Sequence, residues 1–381
     1  MFELCLSEFS RETFMREYWQ KKPVVIRQGF KNFVDPIDAN EIAGLAGLND
    51  VESRMVYRDG ETWQAEFGPF DDFQRFGDNG WSLIVQALDH WSEEAAEMIE
   101  PFRFIPNWRL DDLMVSFATP GGGVGPHIDL YDVFICQGSG KRNWRVGDIG
   151  NHVEFAAHDA LLHVEPFEPI IDTELLPGDI LYIPPGFPHD GVTIEASLSF
   201  SVGFRANSTA SMINGLADHL TDKELAPELL SDPQRILSSN SGEVSSDDFQ
   251  LIKSQLQQLI DNESLMRQFA GSFLSQAKHE LDIHLSEDTY SNDDITELLH
   301  SNKLMRLGGL KAFYFSDSVE QGLFYINGEE QIVTADIVSA IKLLCDNVSV
   351  TPELMTGFAN NENFISFLGE QLDLGYWYFA E

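Results

Sequence analysis

The chain has 381 residues, 24 of them Lys or Arg and 62 Asp or Glu, for a formal net charge of -38. That length suggests two or three domains, and 43% hydrophobic with 12% aromatic residues excludes a disordered chain. The charge works against binding nucleic acid or anionic membranes, which depends on Lys and Arg, whereas it attracts basic proteins or simply favours solubility.

Cys5, Cys136 and Cys345 are far apart and lack CxxC spacing, which fits a reducing compartment and argues against a zinc ribbon or disulfide framework. No charged segment with an apolar stretch opens the chain, and no run approaches the roughly 18–20 apolar residues of a membrane span. A cytoplasmic protein without membrane contact is expected.

In chain order, "FSRETFMREYWQKKPVVIRQG" reads as a helix capped by Ser10, with Phe9, Phe14 and Tyr18 at roughly helical spacing. Pro23 ends it before a strand at Val24–Ile26. Helical and loop segments are expected from there to about Pro106. From Leu113 to Phe204, short β-rich runs alternate with Gly and Pro ("LMVSFAT", "YDVFICQ", "NWRVGD", "EPIIDTEL", "DILYIP", "SLSFSVGF"), a pattern of sandwiches and barrels. After Arg205 the pattern turns helical, with Ile252, Leu256, Leu259 and Ile260 as one stripe. Linker-like stretches run from Ser238 to Asp248 and from Ser286 to Asp294. The last segment has a helix in "ITELLHSNKLMRL", a hairpin turn at Asn327-Gly328 and helical patterns around Leu343 and Phe367. Helices with a hairpin suggest a winged-helix-like domain. Its few basic residues (Lys303, Arg306, Lys311, Lys342) make DNA binding improbable on physical grounds.

The chemistry concentrates in "GVGPHIDLYDVFICQGSGKRNW". On a strand, His127 and Asp129 project from one face, as two legs of a facial iron site do. The dipeptide spacing is common in a chain with ten histidines and about one acid in six residues: His152 with Glu154 and His163 with Glu165 match it too. Only His127 and Asp129 follow a glycine cluster (Gly121, Gly122, Gly123, Gly125), where backbone can approach a ligand closely. A third ligand is expected from "LLPGDILYIPPGFPHDG", in which a strand and a rigid Pro184-Pro185-Gly186 bend deliver His189. It lies 189 − 127 = 62 residues from the first histidine, room for intervening strands to bring both ends together.

These two segments resemble the Jumonji-C oxygenases, more narrowly the bacterial ribosomal oxygenases that hydroxylate an arginine of large-subunit ribosomal protein sixteen. The shared pattern is His127-x-Asp129, Val133-Phe134, Gln137, Gly140, Trp144, Pro177-Gly178-Asp179 and His189, and "YWQKKPVVIR", "FRFIPNWRLDDLMVSF" and "DLGYWYFAE" extend it over nearly the whole chain. The resemblance implies an α+β protein: a double-stranded β-helix (jelly-roll, cupin-like) core over 1–206, a helical dimerisation region over 207–285 and a winged-helix-like domain over 286–381. It also implies Fe(II) held by His127, Asp129 and His189, 2-oxoglutarate as cosubstrate, a homodimer, and a basic ribosomal protein as substrate.

The distal carboxylate of 2-oxoglutarate needs a buried cation. "KRNWR" is unusual in so acidic a chain; on a strand, Arg142 and Trp144 share one face while Lys141 and Arg145 share the other. The matching arginine of the ribosomal oxygenases takes this carboxylate, so Arg142 is assigned to it, with Ser116 as hydroxyl partner and Arg205 as the rival. Trp144 reads as core, Lys141 and Arg145 as surface charges. Tyr131 and Asp132 are expected to line the entrance for a substrate guanidinium, although alternation points Asp132 away from Asp129. A Jumonji-C enzyme with another target (histidine hydroxylase or lysine demethylase) and a non-catalytic cupin-like binding module stay open.

Overall fold

In the computed structural model, which describes residues 2–6, 9–237, 239–283 and 290–380, Ser10 accepts a hydrogen bond from the Thr13 amide at 3.2 Å and caps the helix Arg11–Glu17. Phe14 on that helix is buried, and the chain passes Pro23 into β1 (Val24–Ile26). The helix Ala39–Leu45 follows. The expectation of only helices and loops up to Pro106 is then corrected. β2 (Ser53–Asp59) and β3 (Thr62–Phe67) form a hairpin, and β4 (Trp81–Val85) pairs with β2. The turn between β2 and β3 carries Gly60 at φ +63°, yet the charged residues Arg54, Arg58, Asp59 and Glu66 within the two strands blur their alternation in the sequence. Their order comes from joining a sheet whose other strands are distant in sequence.

That sheet is completed by β5 (Leu110–Ala118), β7 (Asp132–Gln137), β12 (Ile180–Ile183) and β14 (Ser197–Phe204), with strand order β1-β12-β7-β14-β5-β4-β2-β3 and antiparallel pairing throughout. Facing it is the sheet β11-β8-β13-β6, built from β6 (His127–Ile128), β8 (Lys141–Gly147), β11 (Pro169–Leu175) and β13 (Pro188–Glu195). A hairpin of β9 (Glu154–His158) and β10 (Leu161–Val164) lies alongside. Alternation sorts each strand between two cores. Val133, Ile135, Leu181 and Ile183 of the large sheet meet Trp144, Val146 and Leu175 of the small one. Phe134, Tyr182 and Phe204 face outward against Phe14 and Phe102.

Beyond Phe204 come the helices Thr209–Asp222, Ser246–Ile260 and Glu263–Ser275. Ile252, Leu256 and Ile260 remain 42%, 58% and 55% exposed, so the described residues leave this apolar face uncovered. Ser238 and residues 286–289 of the two expected linkers lie outside the described residues.

The C-terminal segment has its own core around Leu299, Phe324, Ile341 and Phe364. Its first helix, Asn292–Ser301, is shorter than expected: Asn302 is extended and Leu304–Arg306 is a strand paired with Trp377–Phe379. The hairpin Leu323–Ile326 with Glu329–Ile332 turns at Asn327 and Gly328, both at positive φ, as the dipeptide requires. Among the described residues no helix is long and apolar enough to cross a membrane.

Candidate active site

β6 pairs with β13 so that His127 and His189 stand opposite one another, their ring centroids 4.3 Å apart. Asp129 follows directly on β6. Each imidazole is held by the carbonyl two residues before it: His127 Nδ1 donates to Gly125 O at 2.8 Å and His189 Nδ1 to Phe187 O at 3.0 Å. A carbonyl only accepts, so each Nδ1 carries a proton and each Nε2 is turned towards Asp129, able to ligate a metal once it gives up any proton it shares with that carboxylate. Nε2 of His127 lies 3.9 Å from Asp129 Oδ1, and Nε2 of His189 lies 3.5 Å from Oδ2. The three ligating atoms fall within 4.8 Å of one another, and this is the cluster of metal-holding geometry among the described residues. The donor set fits Fe(II): two neutral imidazoles and one carboxylate on one side leave the other coordination positions open.

His127 and Asp129 agree with that fit, whereas His189 is shifted upward: burial would lower it, but the Asp129 carboxylate outweighs burial until a metal takes the proton's place. Burial, aided by His189, pulls His127 down to about 4, so it is neutral near pH 7. Burial alone would raise the Asp129 carboxyl, but the hydrogen bond from His189 and the two imidazoles outweigh it and hold the acid at about 2.

The glycines before the pair have a concrete role. Gly125 has φ +82°, and a Cβ there would lie 2.3 Å from Cε1 of His163. His163 is buried, and its Nε2 contacts Val124 O at 2.8 Å. It therefore braces the glycine loop that carries the His127 acceptor. His152 is apart, on the carbonyl of Asp148. His189 lies in β13 rather than on a loop, and the Gly186 amide of the proline bend donates to Asp129 O at 2.8 Å.

Deeper in the barrel lies Arg142, 4% exposed. Nη1 donates to Ser116 Oγ at 3.2 Å and Nη2 to Ser197 Oγ at 3.3 Å, while Nε is buried without an acceptor. Among the described residues no carboxylate pairs with it, and burial pushes its pKa down to about 10. In register, Arg142 faces Thr193 and Val146 faces His189. The cation and the metal ligands are thus four residues apart along β8, roughly 13 Å between backbones. A guanidinium side chain and a five-carbon dicarboxylate can together span that gap. Hydroxyls of Ser116, Thr193 and Ser197 surround the cation, and an unpaired buried guanidinium among hydroxyls is a seat for a carboxylate. Arg205 is differently placed: its Nε donates to Asp111 Oδ1 at 2.7 Å, so its charge is compensated. Lys141 and Arg145 are on the outer face near Glu195 and Asp172, and Trp144 is buried against Gly191. Gln137 is fully buried, its Nε2 on Leu198 O at 2.9 Å.

Tyr131, 37% exposed, stands at the mouth with its hydroxyl toward Asp129. Asp132 does not line the entrance, which corrects the expectation. It is fully buried on the far side of the sheet, accepting from Tyr182 Oη at 2.6 Å, Gln20 Nε2 at 2.9 Å and Arg109 Nη2 at 3.2 Å. The physical reason is parity: Asp132, Phe134 and Cys136 share the outer face of β7. Asp112, missed in the sequence, accepts from the Ala87 amide at 3.0 Å and lies 3.6 Å from His279 Nε2. It shares the inward face of β5 with Ser116, is buried, and joins Asp111 and Asp129 in raising the Tyr131 phenol. The alternation Asp112, Met114, Ser116 in "LDDLMVSF" was the available signal.

Residues 97–212 match the JmjC domain family and residues 258–378 the ROXA-like winged helix. The chain is 43% identical over 367 residues to the Ribosomal protein uL16 3-hydroxylase of Escherichia coli strain K12, covering 96% of each chain. It is 32% identical to a Probable ribosomal oxygenase of Haemophilus influenzae, over 94% of this chain and 91% of the relative. Among solved structures, YcfD, a ribosomal oxygenase from Escherichia coli in complex with cobalt and 2-oxoglutarate, superposes with a TM-score of 0.89 at 40% identity, covering 100% of both chains.

Proposed function

The chain belongs to the JmjC-domain ribosomal oxygenases, and from that premise we propose that it is an Fe(II)- and 2-oxoglutarate-dependent hydroxylase of an arginine side chain in ribosomal protein uL16. The observation that carries the reading is the pairing, inside one barrel, of a three-ligand site with the uncompensated guanidinium of Arg142. Such a cation is costly to keep in a fold unless an anion arrives to meet it.

His127, Asp129 and His189 hold the metal, with Asp129 charged and the imidazoles locked by the Gly125 and Phe187 carbonyls. Arg142, with Ser116, takes the distal carboxylate of 2-oxoglutarate and so fixes which way the cosubstrate lies. Iron and 2-oxoglutarate, when bound, would let molecular oxygen hydroxylate an unactivated C–H bond: one oxygen atom goes into the new hydroxyl and the other into succinate, as 2-oxoglutarate is oxidised to succinate and CO2. Tyr131 forms the wall of the mouth. Asp112 offers the substrate guanidinium the acceptor that a buried cation needs. The charge of -38 draws a basic ribosomal protein towards this entrance.

The catalytic part spans 1–206, a helical region 207–285 and the winged-helix part 286–381. We infer a homodimer closed through the helical region, because the face of Ile252, Leu256 and Ile260 is apolar and uncovered. The C-terminal part supports protein contacts rather than DNA, and the setting is cytoplasmic.

The test is direct: incubate the protein with Fe(II), 2-oxoglutarate and purified uL16, and analyse uL16 by mass spectrometry. A gain of about 16 Da on one arginine, with stoichiometric succinate, is expected. Turnover of 2-oxoglutarate with modification of a histidine or loss of lysine methyl groups instead would overturn the arginine assignment.

A further inference from the structure

Arg54 is a second guanidinium turned into the barrel without a partner. On β2 it shares the inward face with Val56, which packs against Ile84 inside the barrel. In register it continues the row Ile84, Ser116, Ser199 and Gln137 across the large sheet. Its Nε is buried without an acceptor, and among the described residues it has no hydrogen bond and no ion pair.

The groups whose charge reaches Arg54 are Tyr131, Glu52 and Asp129, and each is already engaged. Glu52 Oε2 is 3.0 Å from His279 Nδ1. The Asp129 carboxylate faces the two imidazoles, and the Tyr131 hydroxyl turns to Asp129. Burial penalises the charged form of Arg54 all the same. A guanidinium with several donors, partly stripped of water and given no protein acceptor, is a binding group awaiting its ligand.

The choice of ligand follows from position. The distal carboxylate of the cosubstrate is already seated by Arg142, whose partner Ser116 lies two strands away from Arg54 in the same row. Tyr131, the group whose charge reaches Arg54 most strongly, is 37% exposed and stands where the protein substrate would enter. An arginine side chain cannot itself serve Arg54, because the two cations repel. What the entering segment offers is its main chain. We propose that Arg54 is a specificity-determining residue: it donates to a main-chain carbonyl of the protein substrate beside the target arginine, holding that segment across the mouth while the target guanidinium turns to Asp112. The repulsion also bars the guanidinium from the wrong side of the pocket, which selects one orientation of the target carbon over the metal.

This inference rests on the proposed function, and one experiment separates the two. Steady-state hydroxylation of a uL16 peptide containing the target arginine is measured for the full-length wild type, Arg54→Gln and Arg54→Lys. A lost charge-assisted hydrogen bond predicts a tenfold or larger rise in KM for the peptide in Arg54→Gln. The KM for 2-oxoglutarate should hold, and Arg54→Lys, which keeps a charged donor, should recover part of the loss. A merely structural arginine would not split the two KM values in this way. An unchanged peptide KM in Arg54→Gln, or a rise confined to 2-oxoglutarate, overturns the assignment while the function stands. A wild-type protein that leaves the peptide unmodified overturns both.

Discussion

Replacing Arg142 by methionine separates the anion-binding role of this side chain from its part in the fold. In the free protein the guanidinium is held by two neutral hydroxyls at 3.2 and 3.3 Å and leaves Nε unpaired. Its pKa falls from 12.5 to about 10 because it is buried, which corresponds to about 3 kcal/mol of strain in the unliganded state. Methionine relieves that cost while filling most of the volume, so the thermal midpoint should stay level or rise. The bound state changes in the opposite direction. A charge-assisted hydrogen bond to a carboxylate, at about 1.5–3 kcal/mol, sets the loss in 2-oxoglutarate affinity at roughly 10- to 150-fold for each bond removed. The assay is succinate release as a function of 2-oxoglutarate concentration, with a calorimetric titration of Co(II) on the same variant as control. A 2-oxoglutarate KM within threefold of wild type would refute the assignment and turn attention to Arg205. A loss of Co(II) binding would show that Arg142 acts through the triad instead.

Gly125→Ala places a Cβ 2.3 Å from the His163 ring at a backbone φ of +82°; destabilisation of about 1–3 kcal/mol is expected in denaturant unfolding, together with weaker Co(II) binding, because the His127 acceptor moves. Asp111 gives a pH signature. Burial alone would raise its pKa, but Arg205 and Lys278 outweigh that and hold it at about 2 against 3.8. Its folded pKa is depressed, so the stabilisation, about 2 kcal/mol, is complete above pH 3.8 and lost as pH falls through 2. The stability difference between wild type and Asp111→Asn should therefore shrink over that window, and a difference that stays constant down to pH 2 would contradict the pairing. Leu256→Asp puts a charge in the centre of the uncovered stripe; it should convert a dimer to a monomer in sedimentation velocity, and an unchanged sedimentation coefficient would place the interface elsewhere.

What the sequence determined by itself was local. Ser10 as a cap, the Asn327-Gly328 turn and the strands between Leu113 and Phe204 follow from short-range propensity and alternation. Parity put Arg142 and Trp144 together on one face of β8 and already pointed Asp132 away from Asp129. Tertiary structure decided which face is inside and which charges meet. Asp132 and Asp112 are both strand acids near the motif, yet one is tied to Tyr182 behind the sheet while the other lies on the inward face of β5 with Ser116. Arg142 lies in β8 and Arg205 just past the end of β14, and it is the distant Asp111 that makes Arg205 the compensated one. β4, and through it β2 with Arg54, have meaning only through pairing with β5, dozens of residues away. Propensity acts between neighbours in the chain, whereas burial and charge compensation act between neighbours in space.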